Sequence, residues 1–339
     1  MTGKERIVSL LQGSQPDSLP LMPITMMFAS DHIGVKYGQY ATDCTVMAEG
    51  QAAVAKYYDI DYVSVISDPA VEAADCGAEI RFYDNQPPAV VESNALLTDK
   101  KKLAVLKVPD PKNARRMRNR VQAVSLLKKK VGDEKLLEGW VEGPCAESAD
   151  LRGINRLMMD FYDDPQFIED IFEFVIQMEL SFAKAQIEAG ADIIGIGDAA
   201  ASLVGPQIYE EYIFKFEKRY VEAIHAMGAY VRLHICGNIT PLLSKIGELG
   251  SDILDLDSMV PVKTARGKTG PDQILLGNID PVRVLHEGTR QVVLKKITDC
   301  FQEAGSRNYI VGAGCEVPRG TPRENMKALT GFARSNRED

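Results

Sequence analysis

The sequence lacks the features that mark membrane, secreted and nucleic-acid-binding proteins. No apolar run reaches the roughly 18 residues that are needed to span a bilayer. The N-terminal segment MTGKERIVSLLQG has no continuous apolar core, since Ile7, Leu10 and Leu11 are spaced as one stripe of a helix, so we expect no signal peptide. The formal net charge is −9, which leaves no basic surplus to neutralise phosphates. We therefore expect a cytoplasmic protein that binds neither membranes nor nucleic acids.

Two common motifs are also missing. Cysteine pairs of the form C-x-x-C do not occur, although the chain has six cysteines. In a chain without a signal peptide these cysteines are not expected to form a disulfide framework, which leaves metal binding and simple burial as explanations. No G-x-G-x-x-G follows the first predicted strand, so the fingerprint of a dinucleotide-binding fold is absent as well.

What the sequence does contain is an alternation of short apolar segments and longer amphipathic ones. The apolar segments predict eight strands, at 19–25, 61–67, 136–144, 191–198, 229–237, 251–258, 272–280 and 308–316. The amphipathic segments predict an N-terminal helix and further helices at 42–57, 112–131, 146–161, 164–189, 206–227, 239–248, 281–304 and 322–335. The region 75–110 shows no pattern that assigns it to either class.

Strands that alternate with helices form parallel sheets with right-handed crossovers. About eight such units favour a closed barrel over an open, doubly wound sheet. We therefore predict an α/β fold, a single (β/α)8 TIM barrel with an N-terminal helical extension, in one domain that spans residues 1–339.

The functional residues of such a barrel lie at the C-terminal ends of its strands. On the predicted strand 229–237, His234 and Cys236 are two residues apart and share a face, while the aliphatic residues that alternate with them along the strand occupy the other face. Cys315 stands at the same height, at the end of the predicted strand 308–316. We expect these three side chains to point into the barrel and to hold one metal ion.

One histidine and two cysteines form a ligand set that favours Zn²⁺, and three protein ligands leave the fourth position open, as in catalytic zinc sites. Spacing alone makes H-x-C a weak signal, because a buried histidine is often a core residue and a buried cysteine often a small hydrophobic side chain. A third soft ligand at another strand end favours the metal interpretation, but it does not exclude burial.

Acidic residues follow several of the other predicted strands. We interpret Asp198 and Asp255 as candidate catalytic residues. Asp198 is interpreted as an acid that contacts the substrate or supports a group that does, and either Asp255 or Asp257 is expected to orient His234 through its second ring nitrogen. The alternative for Asp198 is structural: it caps the helix that begins near Pro206 or forms a hydrogen bond at the end of its strand. Arg232 is predicted to point inward one layer deeper, where a guanidinium needs a carboxylate partner such as Asp255 or Asp198.

The remaining polar residues near strand ends have weaker assignments. Asp257 should face inward with Asp255, Asn278 is interpreted as a turn residue, Cys145 as a plain buried thiol, and His32 as a candidate substrate contact. A structural role or no role is assigned to His225, His286, Cys44, Cys76 and Cys300.

Several segments together resemble the uroporphyrinogen decarboxylase superfamily. They are KERIVSLLQGSQPDSLP (4–20), EGPCAESADLRG (142–153), LHICGN (233–238), GNIDP (277–281) and GAGCEVPRGTP (312–322), so the resemblance extends over nearly the whole chain. Within the superfamily, the H-x-C motif with a late cysteine resembles the cobamide-dependent methyltransferase branch, whose known type is the methylcobamide:coenzyme M methyltransferase. The resemblance implies that His234, Cys236 and Cys315 bind zinc.

The same resemblance implies a zinc-dependent methyltransferase. It would move a methyl group between a methylated corrinoid (a cobamide carried on a small partner protein) and a small-molecule thiol such as coenzyme M or homocysteine. One alternative is a carbon–carbon lyase of the decarboxylase type, but the segment 23–34 lacks the arginines with which that enzyme holds its substrate's carboxylates. The other alternative is a corrinoid- or metal-binding module without catalysis.

Overall fold

The computed structural model describes residues 1–337, and its central feature is a curved sheet of seven parallel strands. In spatial and chain order these are β1 (Tyr62–Ser64), β2 (Leu136–Glu142), β3 (Ile193–Gly197), β4 (Tyr230–Ile235), β5 (Ile253–Leu256), β6 (Ile274–Leu276) and β7 (Tyr309–Ile310). The α/β barrel predicted from the sequence is therefore confirmed in its architecture. The assignment of residues 1–339 to one domain stays a prediction.

The predicted first strand, 19–25, closes the sheet but is not a full strand. Leu21 forms an isolated parallel bridge with Val311, next to β7, and its carbonyl accepts a hydrogen bond from the backbone N–H of Asp61, next to β1. Pro20 and Pro23 flank this bridge, and proline has no N–H with which to extend the ladder. Both edges of the seven-stranded sheet are thus joined through the short segment around Leu21.

Helices surround the sheet in the intervals that the sequence predicted, with several additions. The α-helices are Gly3–Leu11, Met26–His32, Tyr37–Thr42, Cys44–Tyr57, Val71–Cys76, Arg115–Val131, Pro144–Arg152, Ile154–Asp163, Pro165–Ala189, Pro206–Ile208, Phe214–Ala226, Leu243–Ile246, Val262–Thr269, Arg290–Glu303 and Arg323–Ser335. Short 3₁₀ segments lie at Glu92–Asn94, Lys100–Val105 and Ala199–Leu203, and π-helical turns at Tyr209–Ile213 and Pro281–His286. The predicted helix 146–161 is broken at Gly153, whose φ is 87°.

The region 75–110, which the sequence left unassigned, contains a small antiparallel pair formed by Ile80–Arg81 and Ala89–Val90. Ala89 and Val90 line the larger cavity described below. This excursion from the barrel therefore forms part of the wall of the site.

The N-terminal helix lies at the end of the barrel where the strands begin. Lys4 pairs with Asp192, just before β3, and Arg6 pairs with Asp61, just before β1. Thr2 and Glu5 form a capping box at its first turn. The predicted helical extension is confirmed, and it leaves the opposite end of the barrel open. No helix within residues 1–337 is long and apolar enough to cross a membrane.

Candidate metal centre and cavity

The three predicted metal ligands lie together at the C-terminal ends of the strands. One side-chain donor atom from each of His234, Cys236 and Cys315 falls within 4.8 Å of the other two. The Nε2 atom of His234 is 3.1 Å from the Sγ atom of Cys236. His234 lies in β4, and Cys236 is the first residue after the end of that strand. The two side chains share the inner face of the sheet, as their spacing predicted.

Strand register places Asp255 beside His234. The two residues are direct partners in the β4–β5 ladder, and parallel partners project to the same face of a sheet. Asp255 Oδ2 lies 3.0 Å from His234 Nδ1, the ring nitrogen that faces away from Cys236. The predicted contact between a carboxylate and the second ring nitrogen is present in this geometry.

Arg232 lies one layer deeper on the same face, fully buried between two carboxylates. Its Nη2 is 2.6 Å from Asp255 Oδ2 and its Nη1 is 3.0 Å from Glu138 Oε1. Although burial opposes ionisation of Asp255, the charge of Arg232 lowers the pKa of that carboxyl below its usual value. The prediction that Asp255 partners Arg232 is correct, and Glu138 is a second partner that the sequence analysis missed.

The pKa values of the two cysteines are shifted in opposite directions. A hydrogen bond from Cys236, helped by the nearby His234, lowers the pKa of the Cys315 thiol to about 5 despite its burial. The same hydrogen bond and burial raise the pKa of Cys236. The pKa of His234 is raised, because attraction to Asp255 outweighs burial. The lowered pKa favours the thiolate form of Cys315, which is the form in which cysteine ligates a metal.

Glycines of β3 make room for large side chains inside the barrel. A Cβ atom at Gly195 would lie 2.3 Å from the Trp140 ring, and one at Gly197 would lie 2.7 Å from that ring and 3.2 Å from Glu142 Oε2. Trp140 and Glu142 alternate along β2 and so project inward together. The indole Nε1 donates a hydrogen bond to Glu142 Oε1 over 3.1 Å.

Two adjoining cavities open above these residues. The inner one, of about 200 Å³, is lined by all three candidate ligands and by Trp140 and Glu142. The outer one, of about 540 Å³, is wider and mostly apolar, and Cys236 and Glu142 line it as well. A small molecule that enters the outer cavity can therefore reach the candidate ligands.

The comparisons with known proteins agree with this architecture. The model of the uroporphyrinogen decarboxylase (URO-D) family matches residues 2–335. The chain belongs to the uroporphyrinogen decarboxylase family. The family resemblance read from the motifs is confirmed.

Within the uroporphyrinogen decarboxylase family, the chain is similar over its full length to methyltransferases. A methylcobamide:CoM methyltransferase of Methanosarcina mazei is 28% identical over 346 residues, 99% of this chain and 98% of that protein. One from Methanosarcina barkeri is 26% identical over 351 residues, 97% of this chain and 96% of that protein. A solved structure of a methyltransferase from Methanosarcina mazei has a TM-score of 0.89 at 24% identity, covering 99% and 98% of the two chains.

In this member of the uroporphyrinogen decarboxylase family, Asp198 lies outside the cavities. It follows Gly197 in the chain, and Gly197 faces the barrel interior, so Asp198 projects toward the helices. Its carboxylate accepts hydrogen bonds from the backbone N–H groups of Cys145 (3.3 Å) and Ala146 (2.6 Å), at the first turn of helix Pro144–Arg152. Asp198 therefore caps a helix, although not the one near Pro206, and its role in catalysis stays a prediction.

Asp255 also needs a narrower description than a catalytic residue. It is 0% exposed and lines neither cavity, so it acts on the site only through His234 and Arg232. We describe it as a positioning residue.

The weaker assignments are placed as follows. Asp257 accepts from the backbone N–H of Gly237 and Met259, and Asn278 donates to the carbonyls of Asp257 and Val260, so both hold the loops at strand ends. Cys145 is fully buried, as expected of a plain thiol. His32 packs against Tyr57 and Tyr58 and is absent from the lining of both cavities.

Sequence reasoning missed Glu138, Trp140, Glu142 and Glu316. The first three alternate along one predicted strand, LLEGWVEGP, and applying the two-residue period there would have placed them inside the barrel. Glu316 follows Cys315 and accepts a hydrogen bond from the backbone N–H of Met27 over 2.7 Å. That contact joins distant parts of the chain and leaves no local pattern.

Proposed function

We propose that this protein is a zinc-dependent methyltransferase that moves a methyl group between a corrinoid on a partner protein and a small-molecule thiol. The observation that carries the proposal is the convergence of His234, Cys236 and Cys315 at the inner end of an accessible cavity. The full-length similarity to methylcobamide:CoM methyltransferases supports the corrinoid part.

The donor set fits zinc. Three soft or borderline donors within 4.8 Å of one another match the spread of ligands around a tetrahedral zinc, whose bonds are about 2.0 to 2.3 Å long. The contact of Asp255 with His234 Nδ1 leaves Nε2 as the donor atom, which is the usual arrangement of a zinc-bound histidine. When bound here, zinc would lower the pKa of a substrate thiol, so that the substrate reacts as a thiolate.

The proposed reaction is a nucleophilic displacement at the methyl carbon. The thiolate sulfur attacks the methyl group of methyl-Co(III), the S–C bond forms, and the Co–C bond breaks with both electrons left on cobalt, giving Co(I). The proton of the thiol has left before this step, and it passes to solvent. In this proposal the sulfur lies in the inner cavity beside the ligands, and the methyl group approaches through the outer cavity, which Cys236 also lines.

The lining of the cavities does not favour the decarboxylase reaction. Among residues 1–337, no arginine or lysine lines either cavity, whereas Glu142 lines both and Glu316 lines the inner one. A porphyrinogen with several carboxylates would meet carboxyl groups without a counter-charge. The uncharged or cationic end of a small thiol fits this surface better.

Metal analysis of the purified protein tests the metal part of the proposal. We expect about one equivalent of zinc in the wild type and markedly weaker retention in Cys236→Ser, because a hydroxyl is a much poorer ligand for zinc than a thiolate. Cys44→Ser is the matched control, since Cys44 begins an outer helix and should not alter zinc content. Equal zinc content in wild type and Cys236→Ser would rule out this ligand set.

Methyl transfer is tested with methylcobalamin as the donor. We expect thiol-dependent loss of the methylcobalamin spectrum, formation of the methylated thiol, and loss of both in Cys236→Ser. A protein that retains zinc but methylates none of a range of thiols would contradict the enzymatic part and favour a binding module.

A further inference from the structure

We propose that the thiol accepted by this protein carries a basic nitrogen, so that it is an aminothiol, and that Glu142 and Glu316 are the residues that select it. The inference rests on the proposed function, because it names the acceptor class of the same site. It differs from what the names of the relatives state, since coenzyme M is a sulfonate and therefore an anion.

Glu142 is the central element of the proposed subsite. Glu142 is 8% exposed, and its exposed part faces the cavities, because this residue lines both of them. One carboxyl oxygen accepts from the Trp140 indole, while the other points toward the space that Gly197 leaves open. A carboxyl group in this position can receive a hydrogen bond from a ligand that lies against Cys236.

Glu316 lines the same inner cavity. One of its oxygens accepts from the backbone N–H of Met27, and it follows the candidate ligand Cys315 directly. Among residues 1–337, neither Glu142 nor Glu316 forms an ion pair. Burial, together with the nearby acidic residue Glu72, raises the pKa of Glu142, which reflects this lack of a positive partner.

Three arginines near the cavities are paired with other carboxylates. Arg232 pairs with Glu138 and Asp255 below the site. Arg116 binds Asp68 through two hydrogen bonds, and Arg319 pairs with Asp31 on the surface. None of the three lines a cavity.

This distribution discriminates by the charge of the acceptor. An ammonium group supplies the counter-charge that the buried carboxyl groups lack, and charge-assisted hydrogen bonds are stronger than neutral ones. A sulfonate would be desolvated next to carboxyl groups without any cation to receive it, which is unfavourable in a site of low dielectric constant. The expected order of affinity is therefore ammonium, then hydroxyl, then sulfonate.

A matched series of three thiols tests this order: cysteamine, 2-mercaptoethanol and coenzyme M. Each has a sulfur, two methylene groups and one terminal group. Binding is measured by calorimetry with the zinc-loaded protein, and independently by the sulfur-to-metal charge-transfer band of a cobalt-substituted sample. We expect cysteamine to bind at least tenfold more tightly than coenzyme M.

The role of the carboxyl groups is tested with Glu142→Gln and Glu316→Gln. Each thiol keeps its own acidity in wild type and variant, so a change in the ratio of affinities reports on the altered carboxyl alone. We expect each variant to reduce the preference for cysteamine over coenzyme M severalfold. Glu222→Gln, on the exposed surface of helix Phe214–Ala226, is the control and should leave the ratio unchanged.

The outcomes separate this inference from the proposed function. Equal or tighter binding of coenzyme M by the wild type overturns the inference, even if methyl transfer is observed. Unchanged ratios in both glutamine variants overturn the assignment of the two residues. Selective binding of cysteamine without transfer of a methyl group to any thiol supports the inference and contradicts the proposed function.

Discussion

Asp255 contacts two cationic or potentially cationic groups, the Arg232 guanidinium and the His234 imidazole. Because the pKa of Asp255 is lowered, the carboxylate is ionised and attracts a proton on His234 Nδ1. In the neutral ring that carries its proton on Nδ1, the lone pair is on Nε2, the nitrogen that lies 3.1 Å from Cys236 Sγ. A single carboxylate thus determines which ring nitrogen is available to a metal.

Asp255→Asn should weaken zinc binding about 10- to 100-fold, the usual effect of losing a carboxylate behind a zinc-bound histidine. The affinity is measured by competition with a chromogenic chelator. Glu138→Gln is the matched control, because Glu138 pairs with the same guanidinium but does not contact His234. If both variants lost the same affinity, the effect would come from the Arg232 network, and orientation of His234 would not be its cause.

At the level of secondary-structure elements, the two-residue period of a strand accounts for most of what the sequence could predict about the site. It placed His234 and Cys236 on one inner face and Asp255 on the neighbouring strand. The same period argues against a cavity position for Asp198, because Gly197 next to it faces inward. A position at a strand end does not by itself place a side chain in the cavity, because successive residues of a strand face opposite sides of the sheet.

Other parts of the site depend on contacts between segments that are distant in the chain. The space inside the barrel exists because Gly195 and Gly197 of β3 face the Trp140 ring of β2. The wall formed by Ala89 and Val90 comes from a two-stranded excursion with only two residues in each strand. Elements this short have no detectable periodicity, so the region 75–110 could not be assigned from its sequence.

The contact of Asp198 with helix Pro144–Arg152 can be tested by mutation. Asp198→Ala should lower the free energy of unfolding by about 1 to 3 kcal/mol, because two buried backbone N–H groups at the first turn of helix Pro144–Arg152 lose their acceptor. The change is measured by urea denaturation. Asp198→Asn keeps an acceptor oxygen and should be less destabilised. A stable Asp198→Ala variant that loses methyl transfer would instead indicate a direct role in the reaction.

The whole molecule is acidic, and several of its acidic residues are buried near the cavities. Glu72, Glu147 and Glu179 have exposed fractions of 2% or less, and neither carboxyl oxygen of Glu147 has a hydrogen-bond partner within residues 1–337. Burial raises the pKa of Glu72 to about 8 and that of the half-buried Asp150 to about 7. The pKa of Glu147 is raised by burial and by the charges of Glu72 and Asp150.

These raised values determine how stability changes with pH. A carboxyl whose pKa is higher in the folded state than in the unfolded chain stabilises the fold fully below the unfolded pKa of about 4.3. That contribution is lost as the pH rises through the folded value, about 8 for Glu72. Between pH 5 and pH 8 we therefore expect the wild type to become less stable as the pH rises.

Glu147→Gln removes one such ionisation, so its free energy of unfolding, relative to wild type, should increase from pH 5 to pH 8 by roughly 1 kcal/mol or more. Urea denaturation at both pH values measures the difference. Glu222→Gln, at an exposed position, is the control. An equal shift in both variants would show that the effect comes from net charge and not from the buried carboxyl group.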